Sequence, residues 1–229
     1  MTISPQDASG FVMLSEICPD IIQEIRYFTT YNFIGDRVDG YEEPVALLTR
    51  KAAEALVPVC RRLKAQGWLL KVFDAYRPQS AVEHFVRWAD NPADVRMKPF
   101  FYPDVDKSRL FELDFISRRS GHSRGSTLDV TLFDMAKGCD ADMGSPFDWF
   151  GERSHPSCRA GISPFQYDLR MLLQRTMAEA GFRPLSSEWW HFTLREEPYP
   201  DTYFTFPVSR ASLSGKQPDF TKDQEEVPV

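Results

Sequence analysis

Residues 120 to 132 read SGHSRGSTLDVTL. From Ser126 to Phe133, Leu128, Val130 and Leu132 alternate with Thr127, Asp129 and Thr131, the period-two signature of a strand. Asp129 therefore shares a face with two threonines. Gly125 lets the chain turn just before the strand, so His122 and Asp129 can bring an imidazole and a carboxylate toward one point. On this segment alone two readings stand, a pair of metal ligands and a hydrogen-bonded structural pair.

A second stretch with chemistry is SSEWWHFTL, residues 186 to 194, where Glu188 lies three before His191. In a regular strand these two side chains would point to opposite faces, so a shared site requires a bulge or a strand that begins between them. Read as chemistry, His191 is a third ligand and Glu188 a general base. Read as packing, Trp189 and Trp190 are core residues with polar flanks. A third stretch is DAYRP, residues 74 to 78, at the end of the apolar run WLLKVFDAY, residues 68 to 76. That run predicts a central strand that stops at Arg77-Pro78. Arg77 is placed to stabilise an oxyanion, or else to form an ion pair with Asp74. His84 and His155 complete no comparable spacing.

Between these stretches the pattern is helical. Leu48, Ala52, Leu56, Val59 and Leu63 predict a helix within residues 44 to 67, stopped by Gly67 and bent at Pro58. Pro78 suits the first turn of a helix carrying Ala81, Val82, Phe85, Val86 and Trp88. Residues 91 to 110 are rich in Pro, Asp and aromatics and read as a surface excursion that rims a site. A helix over residues 165 to 180 and a last strand over 189 to 194 complete one mixed α and β domain, residues 1 to 208. From Ser209 to Val229 the composition is polar and charged and predicts a disordered tail.

Composition narrows the partners. The 229 residues carry 33 acidic against 27 basic side chains, a formal charge of -6, which argues against a surface that tracks phosphates or anionic lipid. No apolar run reaches the length of a membrane span. The start, MTISPQDASGFVML, has no Lys or Arg and lacks a secretory pattern, so the cytoplasm is the expected compartment. Cys18, Cys60, Cys139 and Cys158 form no C-x-x-C pair and read as reduced thiols. Homo-oligomer formation is left open by the sequence.

Taken together, SGHSRGSTLDVTL, SSEWWHF and FDAYRP resemble the VanX-type D-alanyl-D-alanine dipeptidases. NFIG at 32 to 35, VDGY at 38 to 41, MGSPFD at 143 to 148, GERSH at 151 to 155 and LREEPYPDTYFTFPV at 194 to 208 extend the resemblance over residues 11 to 208. It implies an α+β domain with a mostly antiparallel central sheet flanked by helices, the fold of D-Ala-D-Ala carboxypeptidases and the Hedgehog signalling domain. It further implies one zinc ion held by His122, Asp129 and His191, with Glu188 as catalytic base. Arg77 would stabilise the tetrahedral intermediate, supported by Asp74. Substrate contacts would fall on Tyr27, Tyr41, Ser120 and Asp148. The implied reaction is hydrolysis of D-alanyl-D-alanine to D-alanine, serving either glycopeptide resistance or recycling of cell-wall dipeptide.

Two departures from the family pattern, Gly121 before the first ligand and Ala75 in the DGYRP-like segment, remove no ligand. Other classes are a cell-wall peptide carboxypeptidase or endopeptidase of the same fold and a non-catalytic zinc-binding module. Such a module has no need of Glu188.

Overall fold

A computed structural model describes residues 3–113 and 115–214 of the chain. In chain order it contains the short strand β1 (Phe11–Met13), the turn of helix α1 (Leu14–Ile17), β2 (Ile22–Gln23), β3 (Leu47–Thr49), helix α2 (Arg50–Lys64), β4 (Trp68–Asp74) and helix α3 (Gln79–Ala89). There follow α4 (Lys98–Phe101), β5 (Thr127–Asp134), β6 (Cys139–Asp140), α5 (Pro164–Glu179), β7 (Phe182–Pro184), β8 (His191–Leu194) and α6 (Arg210–Leu213).

β5 is the axis of the fold. It pairs antiparallel with β4 on one side and with β8 and β6 on the other, in a sheet of order β2-β4-β5-β8-β7 whose one parallel pair is β2 with β4. This is the mostly antiparallel α+β architecture anticipated. From Thr127 to Leu132 every residue of β5 is buried, the polar ones included, so protein covers both faces of the strand. One face takes Leu128, Val130 and Leu132 into the core, and the other turns Asp129 toward the site. Between Val72 and Asp74 the β4–β5 register shifts, and the irregularity sets Asp74 opposite Asp129.

The helices form where their apolar faces repeat. α2 buries Ala52, Ala53, Leu56, Val59 and Leu63 and contains Pro58. It starts later than expected because Leu47–Thr49 pairs with β1 as a separate two-stranded ladder. α3 follows Pro78 and buries Ala81, Val82, Phe85 and Trp88. α5 opens with a capping box in which Ser163 and Gln166 satisfy each other's backbone N–H groups.

Residues 91 to 110 do not rim the site. Phe101, Tyr102 and Leu110 turn inward, Tyr102 packs on Trp88, and Lys107 is buried with its Nζ donating to Asn91 and Asp94 carbonyls. The rest of the stretch is mostly exposed, so it is a surface excursion tied to the core at a few side chains and absent from the lining of the site. Of the tail expected from Ser209, Ser209 is buried and α6 is anchored by an Arg210 to Glu43 ion pair, while residues 215–229 lie outside the described residues. The four cysteines carry free thiols. No helix among the described residues is long and apolar enough to cross a membrane.

Gly125 joins this scaffold to the site. It has φ +77, its carbonyl accepts from Thr49 N–H, and an added Cβ would lie 2.2 Å from the Phe11 ring. Gly67 has φ +84 with nothing within 4 Å of its Cβ position. Gly67→Ala should therefore cost about 1 kcal/mol, the backbone effect alone, and Gly125→Ala about 3 kcal/mol from backbone and clash together. Urea unfolding midpoints of the two variants check the difference.

Candidate active site

Three donors converge from three segments. The 3-10 turn Gly121–Arg124 presents His122, the middle of β5 presents Asp129, and the first residue of β8 presents His191, which is the cross-strand partner of Asp129. Ser120 opens the turn, its Oγ accepting the His122 N–H at 3.2 Å, and Gly125 closes it in the left-handed region. Glu188 sits in the turn that precedes β8. The strand begins between Glu188 and His191, which removes the conflict of faces noted from their spacing and brings Glu188 Oε2 to 3.4 Å from His191 Nδ1.

The distances are short and mutual. Asp129 Oδ1 lies 3.3 Å from His122 Nε2 and 3.2 Å from His191 Nδ1, and the two ring nitrogens are 3.3 Å apart. The other nitrogen of His122, Nδ1, donates to the Ala75 carbonyl at 2.7 Å, which fixes the tautomer and leaves the Nε2 lone pair facing inward. Asp129 Oδ1 is buried and receives no hydrogen bond among the described residues. A buried carboxylate oxygen without a donor, facing two imidazole nitrogens, fits a divalent metal with nitrogen and oxygen ligands.

Charge reinforces this geometry. Burial alone would raise the Asp129 carboxyl, but His122 and His191 hold it well below the usual carboxylate range. Burial pushes His122 down toward the neutral imidazole that a ligand must be. Burial would lower His191, but the Asp129 carboxylate beside it, joined by the charge of Glu188, outweighs burial and raises it. Glu188 is raised by burial and by the charge of Asp129, against the pull of His191.

Arg77 leaves β4 toward this centre. Its Nε donates to Asp74 Oδ2 at 2.9 Å, its Nη2 approaches Asp129 Oδ2 at 3.4 Å, and its guanidinium lies 4.9 Å from the Tyr27 ring and 5.1 Å from that of Phe85. Tyr27 donates to Asp148 Oδ2 at 3.0 Å. Asp148 is buried, takes φ +59, and has its carboxyl pushed well up by burial and by the nearby charge of Asp129. Together these groups line a cavity of ≈ 260 Å³. That is below the range typical of drug-sized ligands and suits a very small one.

Of the expected site residues, His122, Asp129, His191, Glu188, Arg77, Tyr27, Ser120 and Asp148 all line this cavity. Two lie behind it. Asp74 is fully buried, and Tyr41, expected as a substrate contact, instead spends its hydroxyl on Asp74 Oδ1 at 2.6 Å. The wall that residues 91 to 110 were expected to supply comes from Phe115, Ile116 and the turn to Ser120, with Phe33 and Phe150. The apolar pair Phe115-Ile116 just ahead of the His122 motif was the available signal for it.

A fold of this kind, with two histidines, an aspartate and an adjacent half-buried glutamate around one small cavity, defines a metallopeptidase. Residues 7–209 match the family described as D-ala-D-ala dipeptidase. Curated D-alanyl-D-alanine dipeptidases align over most of their length. That of Enterococcus faecalis is 40% identical over 201 residues, 88% of this chain and 99% of the relative. That of Streptomyces coelicolor is 38% identical over 199 residues, 87% and 98% respectively. That of Escherichia coli is 34% identical over 188 residues, 82% and 86%. The chain belongs to the D-ala-D-ala dipeptidase family, a family of zinc metallopeptidases.

The position of Tyr41 can be tested. Tyr41→Phe keeps the ring and removes one hydrogen bond to a buried carboxylate, and should lower stability by about 2 kcal/mol. Thermal and urea denaturation followed by circular dichroism measure it.

Proposed function

We propose that this protein hydrolyses D-alanyl-D-alanine to two molecules of D-alanine, with one zinc ion held by His122, Asp129 and His191. The observation that carries the reading is Asp129 Oδ1, buried without a donor between two imidazole nitrogens and beside Glu188. Bound there, zinc supplies Lewis acidity and makes a water nucleophilic near neutral pH.

The chain's own groups do the rest. Glu188, with a carboxyl raised toward the working pH, takes the proton of the attacking water and passes it to the leaving amine. Arg77, held by Asp74 and covered by two aromatic rings, presents fixed positive charge where the carbonyl oxygen becomes an oxyanion. Asp148 and the Tyr27 hydroxyl receive the free ammonium of the dipeptide. The Ser120 hydroxyl accepts from a backbone N–H and keeps its own hydrogen for the substrate carboxylate. The small cavity favours a dipeptide over a cell-wall peptide, which would need an open cleft.

Release of D-alanine from D-Ala-D-Ala by the purified protein, with zinc added and after treatment with chelator, is the direct test. Zinc-dependent release is expected, and a protein that holds one zinc per chain yet releases nothing would sink the substrate assignment. Glu188→Ala should keep zinc and lose activity by about 10³-fold, the scale of general-base catalysis. His122→Ala should lose the metal itself.

Zinc retention should also depend on pH with a definite sign. Imidazole must shed its proton to coordinate, and His191 holds that proton more tightly than an ordinary histidine. Bound zinc is expected to be full well above the imidazole range near ~6.5 and to fall as pH drops through it. Metal content after dialysis at a series of pH values measures the curve.

A further inference from the structure

A dipeptide with free ends is a zwitterion, so its cavity must meet a negative charge as well as a positive one. The acids of the lining are Asp129, Asp148 and Glu188, and the guanidiniums are Arg77 and Arg119. Arg77 is already engaged. Asp74 and Asp129 hold its Nε and Nη2, and the Tyr27 and Phe85 rings cover it. Arg119 is different: it is exposed at the mouth and forms no ion pair among the described residues, its guanidinium lying 5.3 Å from the Tyr203 ring.

The backbone beneath Arg119 is fixed on both sides. Its N–H donates to Ser117 Oγ at 3.4 Å, and the next residue, Ser120, accepts the N–H of His122. A cation without an ion pair is thereby carried one residue from a hydroxyl and three from a proposed metal ligand. In a chain of net charge -6, Arg119 brings a positive charge to the lining of the cavity.

We propose that Arg119 is a specificity-determining residue that reads the free C-terminal carboxylate of the substrate, so that the enzyme selects free-acid dipeptides over C-terminally blocked ones. The assignment rests on the dipeptidase reading above. It gives Ser120 a neighbour: the hydroxyl supplies direction and the guanidinium supplies charge.

The test compares D-Ala-D-Ala with its C-terminal amide as substrate and as competitor, using the zinc-loaded wild-type enzyme, Arg119→Gln and Arg119→Lys. Wild type should favour the free acid. Arg119→Gln should raise KM for the acid about tenfold with kcat little changed, leave the amide as it was, and so erase the preference. Arg119→Lys, which keeps the charge, should restore most of it. If Arg119→Gln weakens acid and amide alike, or changes neither, the assignment is overturned while the dipeptidase reading stands. If wild type releases D-alanine from neither compound, the dipeptidase reading falls and takes this assignment with it.

Discussion

The carboxylate of Asp129 stands in the middle of a strand that protein covers on both faces, and a charge in that position has to be answered by groups close to it. His122, His191 and Arg77 are those groups, arriving from a turn, a neighbouring strand and the end of β4. Because side chains alternate along β5, a slip of one residue in its pairing would turn Asp129 into the apolar layer and a leucine or valine into the site. Register and charge thus select the same arrangement. The sheet that builds the core and the cluster that does chemistry are one construction.

Around Asp129 the polar groups are linked in series. Tyr41 donates to Asp74, Asp74 holds Arg77, and Arg77 reaches Asp129. Each link is buried or nearly so, where an unmet polar group is costly and a satisfied one rigidifies its neighbours. Asp148 belongs to a separate pair with Tyr27, yet it feels the charge of Asp129 across the cavity. Burial first, and then the charge of Asp129, raise the Asp148 carboxyl, while the two imidazoles keep Asp129 ionised.

Much of this was legible in the sequence because it is local. The alternation around Asp129, the Gly125 turn and the Glu188 to His191 spacing each follow from a few neighbouring residues and one periodicity. What was not legible depends on long-range pairing. Leu47–Thr49 looks like the start of a helix until Phe11–Met13 lies beside it. Residues 91 to 110 run over the surface as read, but Phe101, Tyr102 and Leu110 tie them to the core away from the site they were expected to rim. Tyr41 was placed among the substrate contacts by resemblance, but a hydroxyl has one proton, and a buried carboxylate within reach claims it.

The hydrogen bond from His122 to the Ala75 carbonyl carries an evolutionary implication. Where the partner of such a histidine is a carboxylate side chain, a single codon change can delete it. Here the acceptor is main chain and is present whatever residue occupies position 75. The Ala at this position therefore keeps the acceptor that orients the imidazole. Losing that acceptor takes a shift of the main chain, not the loss of a side chain.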